Sequence, residues 1–583
     1  MWNHFKITDY LRRMVRLKDL KSDVLDTNLR RCLSTLDVAF LGIGNMLGSG
    51  IYVLSPELAR DYTGPALVIS YMIAGITSLF AALAYAEFAV RYPRAGSAYS
   101  YTYFSVGELM AFFVGWNVIM ENVLSLAVIA RSCSEYADSL VGGAISNMTI
   151  EVFGTLEAGS DGFIGHYPNV LAAMILVAFL GFMMLGAKET SWLNNILVFI
   201  NIAVIAVILG VGGWFADLRN WEYREGDPKP QGFINGFLPF GWKGVFAASS
   251  QCFFAYVGFD GMAAAGEEAR DPKKAIPAAT FITMSVVSVV YIAVSAVLTL
   301  MLPYYNIHRS SGIPDALGYH EVAWAQATVS IGAMICMATA IIGTIYGVSR
   351  VIYAMADDGL LPTALQKTYR KVPIISMLLG TLFAAATAVV FNVGAIIEML
   401  SIGTLFAYLL VAFAVLVVRH TEEDDAEEVI RDKERTLALK PWAGRLRCLY
   451  PSGISQRELV MCVLVLVLIS SFGTGFALHS SLGLTARSYI AGTCGASILL
   501  CAAFLYPLAE RKNDDKYKMP LAPLLPIVSI FCNVFLMTTL KEAAWERLGY
   551  WMAAGFVLYV SHGIRHSKLG EHRVGVFDHS SVE

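Results

Sequence analysis

A glycine-rich stretch inside the first long apolar segment constrains this chain most. Residues 42–52 read GIGNMLGSGIY and lie within an apolar run from about 33 to 54. Each glycine lowers helix stability by about 1 kcal/mol relative to alanine, so four glycines in nine positions favour a break. A broken helix survives in lipid only where it lines a cavity or binds a ligand. The stretch therefore predicts an unwound binding element at 48–50 or, alternatively, close helix packing through Gly44 and Gly48.

The composition is that of a membrane protein. Of the 583 residues, 56% are hydrophobic and 15% are charged, with a mean hydropathy of +0.58. A soluble chain carries about 25% charged residues. The net charge of −3 gives no reason to expect nucleic acid as a partner. The nine cysteines show no paired spacing, so we expect neither a disulfide framework nor a metal site, and no cofactor.

Apolar runs near the ~20-residue length that spans a bilayer recur along the chain and number fourteen. Their predicted positions are 35–55, 66–90, 104–130, 168–186, 193–214, 243–266, 278–302, 322–348, 375–393, 395–418, 458–478, 488–509, 522–540 and 547–563.

The distribution of lysine and arginine predicts the orientation of these spans. The basic segment 1–34 and the tail 564–583 are expected in the cytoplasm. Loop 141–167, expected outside, has no lysine or arginine, whereas loop 215–241 on the same side is an exception with three. Asn147 begins a glycosylation sequon in the first of these outer loops, which agrees with the assignment.

The longest cytoplasmic loop, 419–457, contains an acidic run at 422–428. Such a run is typical of a solvated linker, and a regulatory contact is the alternative. The loop separates a ten-span core at 35–418 from four additional spans at 458–563.

A second interruption lies five spans after the first. Residues 252–261 read CFFAYVGFDG and place Gly258, Asp260 and Gly261 in the middle of the sixth span. A charge at this depth costs about 2.5–3.5 kcal/mol, so Asp260 is expected to face a cavity or a partner, or to hydrogen-bond neighbouring backbone. Paired interruptions in corresponding spans predict an inverted repeat of five spans plus five, which is typical of transporters.

Backbone chemistry indicates what two such breaks can bind. The N–H groups that follow Gly48 lie at the positive end of a half-helix and suit a carboxylate. The carbonyl groups at the ends of the first halves of spans one and six suit an ammonium group. Together they fit the zwitterionic head that all amino acids share, and the side chain must be recognised elsewhere.

The motifs around the breaks resemble those of the amino acid–polyamine–organocation (APC) transporters and, within them, the cationic amino acid transporter family. The resemblance covers roughly 30–565 and implies the APC/LeuT-type fold: an all-α polytopic membrane protein with a five-plus-five inverted-repeat core, broken helices 1 and 6, and four C-terminal transmembrane helices, fourteen in total. The matching segments, besides the two breaks, include AYAEF (84–88), RYPRAGSAY (91–99), VGEL (106–109), GWN (115–117), GEEARDP (266–272) and RVIYAMADDGLL (350–361).

The resemblance also implies site residues. Glu108 matches a glutamate of the third span that the family needs for transport, and Asp260 is implied to steady the break or to take part in gating. Phe253 or Phe254 is implied to close the site from outside, with plain packing as the alternative. The substrate carboxylate is implied to bind at Met46, Gly48, Ser49 and Gly50, and its ammonium group at the carbonyls of Phe254, Ala255 and Val257.

Four positions depart from relatives. Asn201 replaces a lysine of proton-coupled bacterial members and offers neither a titrating amine nor a carboxylate for sodium, so we expect sodium-independent transport, with proton independence also favoured. Glu121 stands where animal cationic transporters have a small polar residue. It is predicted to hold a cationic side chain or, alternatively, to bond to Asn201 or Asn117. Ala338, like Ala340, replaces a serine expected near the substrate side chain, which weakens the cationic assignment.

These features favour sodium-independent transport of cationic L-amino acids such as arginine, lysine and ornithine. Transport of neutral amino acids or a non-transporting sensor are the alternatives. No set of residues typical of an enzyme is present, and a channel would need polar rings along its length. Loop 141–167 lacks the cysteine that links light subunits of the superfamily to a heavy chain, so no disulfide-linked partner is expected. The plasma membrane is the expected location, with the lysosomal membrane as the alternative.

Overall fold

The fold is given by a computed structural model. It describes residues 34–48, 50–91, 97–156, 163–184, 190–224, 232–259, 269–309, 311–368, 373–420, 454–479, 483–509 and 517–568, together with residues 14, 16, 226, 228–230, 262, 439–440, 442–443, 447 and 450.

Each apolar run predicted from the sequence contains a helix. We number these helices along the chain: α1 Thr35–Met46, α2 Leu67–Arg91, α3 Glu108–Leu140, α4 Val170–Met184, α5 Thr190–Trp214, α6 Gly241–Tyr256, α7 Pro272–Met301, α8 Ala323–Asp357, α9 Ile374–Val390, α10 Val393–Arg419, α11 Gln456–His479, α12 Leu484–Leu505, α13 Leu524–Thr538 and α14 Glu542–Leu558.

Eight helical stretches among the described residues are long and apolar enough to cross a membrane, or nine if α13 and the helical segment that starts with α14, bent by 110°, count as one span. One of the eight, Thr35–Arg91, contains both α1 and α2. Among the remaining helices, α6 stops at its glycine-containing segment, and α4 and α9 are apolar helices of only 15 and 17 residues.

Helix ends differ from the predicted boundaries where polar residues continue a helix. α3 extends ten residues beyond the predicted end at 130, and α8 extends nine beyond 348. An apolar-run criterion stops where hydrophobicity falls, whereas the helix continues to the next residue that breaks it. Gly359 ends α8 with a φ of +80°, and a Cβ there would lie 2.0 Å from the carbonyl oxygen of His566.

The core is organised around α3 and α10, which pack against each other and are the most deeply buried of the spanning helices described. α3 also packs against α8 and α9, while α2 packs against α6 and α7. The C-terminal helices attach unequally. α13 contacts α2, α6 and α10, and α14 contacts α3 and α10, whereas α12 packs chiefly against α11.

An ionic cluster joins the core to the C-terminal helices. The Glu87 carboxylate at the end of α2 accepts hydrogen bonds from Arg419 at the end of α10, the shortest at 2.6 Å. It also accepts from Arg91 Nη2 and from the backbone N–H of Met519, which precedes α13. Glu87 and Arg419 are each 2% exposed, so this buried charge is paired, as burial of a charge requires.

Candidate functional site

The first break lies between α1 and the helical segment that follows it. α1 ends at Met46, Leu47 leaves the helical conformation with a ψ of 41°, and the Gly48 N–H donates to the Met46 carbonyl at 2.8 Å. The chain resumes at Gly50 as a wide π-helical turn that runs to Leu54. The backbone therefore unwinds at the predicted glycines. Ser49 lies outside the described residues.

The second break follows α6. Val257 is extended, with φ −65° and ψ 136°, and Gly258 has a φ of +125°, which strains any residue with a Cβ. A Cβ at Gly258 would lie 3.1 Å from Cβ of Asn45, so this break packs directly against the end of α1. Asp260, predicted to steady the break, lies outside the described residues.

Glycine allows the two breaks and α8 to meet. A Cβ on Gly50 would lie 2.7 Å from the backbone of Ala255 and 2.7 Å from the Tyr291 hydroxyl. A Cβ on Gly48 would lie 3.2 Å from Ala340 on α8. The structure therefore brings together Gly48, Gly50 and Ala255 of the predicted site. Met46 and Phe254 are buried beside them.

A tyrosine on α7 connects the two breaks. The Tyr291 hydroxyl lies 2.6 Å from the carbonyl oxygen of Met46 and 2.8 Å from that of Ala255. Both carbonyls belong to the last turns of the first halves of their spans, where the helical ladder no longer supplies a donor. Tyr291 was not among the predicted residues, because a tyrosine in an apolar helix gives no signal of which backbone it meets.

Asn201 on α5 holds the same break from another side. Its side-chain amide donates to the carbonyl oxygen of Leu47, and its own carbonyl accepts from the Tyr52 hydroxyl at 3.2 Å. Asn201 is 4% exposed. A neutral amide thus spans the break, from the last turn before it to the first turn after it.

Two more tyrosines cap carbonyls in the resumed half of span one. The Tyr136 hydroxyl donates to the Tyr52 carbonyl at 2.9 Å, and the Tyr71 hydroxyl lies 3.4 Å from the Gly50 carbonyl and 2.9 Å from Ser55 Oγ. Freed backbone carbonyls in an apolar setting cost several kcal/mol if left unpaired. The tyrosine hydroxyls on α2, α3 and α7 therefore stabilise the backbone at and after the break by pairing with its carbonyl groups.

The residues predicted to recognise the substrate side chain lie on α3 and α8. Glu121 is 7% exposed, and its neighbour Asn122 is next to Gly347 on α8. Ala338 is half-buried, two residues before Ala340, which touches Gly48. Asn117, one predicted partner of Glu121, donates instead to the Phe113 carbonyl and to Met552 Sδ.

Two residues predicted to take part in gating lie on α6 and α3. Phe253 is fully buried, with its ring centroid 6.2 Å from that of Tyr408 on α10. Glu108, fully buried at the start of α3, accepts hydrogen bonds from the hydroxyls of Tyr103, Tyr559 and Ser567. Arg16 Nη2 lies 3.6 Å from the same carboxylate. Glu108 therefore joins an N-terminal residue to the segment after α14.

Ion pairs lie at the opposite end of the bundle. Arg309 pairs with Asp61 at 2.7 Å, and the hydrogen bond to Asp61 raises the pKa of Arg309 above its ordinary value. Lys541, before α14, pairs with Glu398 at 2.6 Å. The sequon residue Asn147 lies on the exposed short helix Ala144–Phe153. Within the described ranges, no group of three histidine, cysteine, aspartate or glutamate side chains is placed to hold a metal ion.

Comparisons with known proteins cover most of the chain. Residues 33–449 match a family model described as amino acid permease, and residues 517–567 match one described as the C-terminus of AA_permease. The Mus musculus protein named cationic amino acid transporter 4 is 36% identical over 96% of this chain and 91% of its own length. The Homo sapiens protein of the same name is 35% identical over 95% and 91% of the two chains. The Arabidopsis thaliana protein named cationic amino acid transporter 2, vacuolar, is 28% identical over 96% and 94%.

Proposed function

Because this chain belongs to the cationic amino acid transporters of the amino acid permease family, we propose that it carries cationic L-amino acids, such as arginine, lysine and ornithine, across a membrane by alternating access and without sodium. It is a multi-pass membrane transporter and not an enzyme. The observation that carries the proposal is the meeting of two unwound helices, whose backbone groups are buried and face one another across Gly50 and Ala255.

The substrate head is bound by backbone. The carboxylate lies against Gly48, Ser49 and Gly50 and beside Met46, where the chain offers N–H groups at the start of a helical segment. The ammonium group lies against the carbonyls of Phe254, Ala255 and Val257. The contact between Gly50 and Ala255 supports this placement, since it sets the two halves of the zwitterion site side by side.

The substrate side chain extends towards Glu121 and Ala338. A buried carboxylate favours a cationic side chain there, because a nearby opposite charge stabilises the ionised form where little water screens it. Ala338 supports the second candidate function, transport of neutral amino acids, since an alanine adds no polar contact.

Asn201 makes transport independent of sodium and of protons. Its amide is neutral and does not titrate, so it neither takes up nor releases a proton during transport and carries no charge to neutralise a cation. The hydrogen bond to the Leu47 carbonyl supports this role, because it steadies the break without an ion.

Gating residues lie on either side of the site. Phe253 closes it from outside, Asp260 steadies or gates the second break, and Glu108 secures the cytoplasmic end. The ion pairs at both ends of the bundle support gating by rearrangement at the ends around a fixed central site.

The architecture proposed is fourteen transmembrane helices in a core of five plus five inverted repeats, 35–418, and four further helices, 458–563. The segments 1–34, 419–457 and 564–583 lie in the cytoplasm, and Asn147 is glycosylated outside. The plasma membrane is the proposed location, without a disulfide-linked heavy chain; a lysosomal membrane is the alternative. Confocal localisation of a tagged chain tests this.

Uptake in a heterologous cell tests the function. Labelled arginine, lysine and leucine are compared with and without sodium at two pH values. We expect saturable arginine and lysine flux that exceeds leucine flux, is stimulated by substrate on the other side, and is unchanged by sodium or pH. Leucine flux without arginine flux would refute the cationic assignment. Binding of arginine without any flux would make the chain a sensor, and sodium dependence would overturn the role of Asn201.

Glu121→Gln tests side-chain recognition. We expect arginine uptake to fall about tenfold or more and leucine uptake to change less, because removing one charge of a buried pair costs more than 1.4 kcal/mol. Glu135→Gln is the matched control: the same substitution on α3, at a residue that pairs with Arg131 at 3.6 Å. Equal losses of arginine and leucine uptake in Glu121→Gln would make Glu121 structural.

A further inference from the structure

The Tyr291 hydroxyl lies within hydrogen-bond distance of two acceptors but has only one proton to donate. Its oxygen lies 2.6 Å from the carbonyl oxygen of Met46 and 2.8 Å from that of Ala255, both within hydrogen-bond distance. A phenolic hydroxyl has one proton and donates to one acceptor at a time. One of the two buried carbonyls is therefore always without the Tyr291 proton.

An ammonium group solves this problem better than a hydroxyl does. It carries three N–H donors and a charge, so it can donate to both carbonyls at once, and charge-assisted hydrogen bonds are stronger than neutral ones. The carbonyl of Ala255 is also one of those proposed to bind the substrate ammonium group. The hydroxyl therefore occupies the place where the substrate's positive group is expected.

The surroundings hold Tyr291 in that place. Its ring stacks on Tyr71 with centroids 5.1 Å apart, and the ring of Tyr256 lies against it edge-on at 5.3 Å. Tyr291 is fully buried. The absence of a side chain at Gly50 gives the hydroxyl access, since a Cβ there would lie 2.7 Å from it.

We propose that the Tyr291 hydroxyl is an internal substitute for the substrate's α-ammonium group. It occupies the carbonyls of Met46 and Ala255 when the carrier is empty, and the arriving ammonium group displaces it. Without substrate the two carbonyls share the one Tyr291 proton, beside the hydrogen bond that Met46 accepts from the Gly48 N–H, and with substrate each carbonyl receives an N–H of its own. The exchange also limits net affinity, because part of the energy gained by the ammonium group replaces a bond already present, and this favours release on the far side. The inference rests on the proposed function, amino acid transport.

Competition experiments on Tyr291→Phe test the exchange. Labelled arginine uptake is inhibited with unlabelled arginine and with 5-guanidinopentanoic acid, which lacks the α-ammonium group. Without the hydroxyl, arginine no longer displaces a bond, so we expect its affinity to rise about two- to tenfold. The deamino acid is expected to be unaffected. The inhibition constant of the deamino acid divided by that of arginine therefore rises by the same factor. This ratio does not depend on the number of carriers in the membrane.

Tyr256→Phe is the matched control. Tyr256 belongs to the same aromatic group, but its hydroxyl donates to the Tyr71 carbonyl at 3.0 Å, and we expect the ratio to stay at the wild-type value. An unchanged ratio in Tyr291→Phe would overturn the proposal, since Tyr291 would then serve packing alone. A fall in arginine affinity would also overturn it, because the hydroxyl would then contact bound substrate rather than be displaced.

The wild-type carrier provides a test that does not depend on a variant folding. The analogue with a hydroxyl in place of the α-ammonium group offers one proton, as Tyr291 does, so it is expected to bind no better than the deamino acid. Tight binding of this hydroxy acid would refute the exchange. If the carrier transports leucine instead of arginine, the same tests are made with labelled leucine and with the deamino and hydroxy analogues of leucine. If no amino acid is carried, the proposed function itself fails.

Discussion

Two buried polar regions of this molecule are built from different chemistry. At the breaks, the carbonyls of the unwound backbone are held by neutral groups, the hydroxyl of Tyr291 and the amide of Asn201. Near the end of α2, the start of α3 and the end of α10, Glu87 and Arg419 form a charged pair, and Glu108 accepts three hydroxyl hydrogen bonds beside an arginine.

The difference follows from what each region must do. Neutral hydrogen bonds contribute about 0.5–1.5 kcal/mol each and can be exchanged for bonds to a ligand. Removing one partner of a buried ion pair costs about 3–5 kcal/mol, so such a pair suits a contact that stays formed. The breaks are held by hydrogen bonds weak enough to exchange, and the joint with the C-terminal helices is held by a stronger ion pair.

Glu87→Gln is expected to have the largest effect. It leaves Arg419, at 2% exposed, without its charge partner and should destabilise the protein by about 3–5 kcal/mol. Thermal unfolding of the detergent-solubilised protein measures this. Asp357→Asn is the control, because its pair with Lys568 is about half exposed and should contribute at most about 1 kcal/mol. Similar melting temperatures for the two variants would contradict the assignment of a structural joint to Glu87.

Glu108→Gln should have the next largest effect. The charge that accepts from Tyr559 and Ser567 is lost, and we expect destabilisation of about 1–3 kcal/mol together with a loss of uptake per carrier. Uptake normalised to the amount of carrier in the membrane separates the two. Ser567→Ala removes one of the same hydrogen bonds, so the double variant should lose less than the sum of the single losses. Full additivity would show that Ser567 and Glu108 act independently.

Asn201→Ala removes a donor to Leu47 and an acceptor for Tyr52. We expect a cost of about 1–3 kcal/mol and an equal loss of arginine and leucine uptake, since the site proposed at this break would bind the zwitterionic head that both share. Asn220→Ala provides the comparison, because its amide also donates to a backbone carbonyl, that of Leu300, but lies in the loop after α5. A loss confined to arginine would place Asn201 near the side chain instead.

Tyr71→Phe should have the smallest effect of the four. Its hydroxyl lies 3.4 Å from the Gly50 carbonyl, at the outer limit of a hydrogen bond, and 2.9 Å from Ser55 Oγ, so one ordinary neutral hydrogen bond is lost and we expect about 1 kcal/mol and uptake within about twofold of wild type. Thermal unfolding and arginine uptake are the measurements. A loss of stability or uptake as large as that of Asn201→Ala would mean that the carbonyl contacts of Tyr71 and Asn201 contribute equally. The break would then not depend more on Asn201 than on Tyr71.

The positions of the breaks were predictable from sequence because they depend on local backbone chemistry. α1 stops at Met46 and α6 at Tyr256, each followed within two residues by the glycine that a break requires. α6 ends at Tyr256, inside the predicted sixth span 243–266, as a span with an internal break requires.

What holds the breaks was not predictable in the same way. Tyr291 meets the Met46 carbonyl across 245 positions of sequence, and Asn201 meets the Leu47 carbonyl across 154. Such pairings depend on how helices pack, and a tyrosine in an apolar helix is also what ordinary packing produces. Asn201 attracted notice only because it departs from related sequences, and the partners that the structure gives it are the Leu47 carbonyl and the Tyr52 hydroxyl.

The contact between α3 and α14 has a consequence for biosynthesis. The indole N–H groups of Trp116 and Trp551 each donate to the other's backbone carbonyl, at 2.9 and 3.3 Å, across 435 positions of sequence. At about 5–20 residues per second, the ribosome needs roughly 20–90 s to supply the partner of Trp116. During that interval α3 resides in the membrane with an indole N–H and part of the Glu108 carboxylate still awaiting their final partners. The third helix of the core is therefore completed only when the last helix has been made, so a chain cut short before α14 lacks more than a peripheral addition.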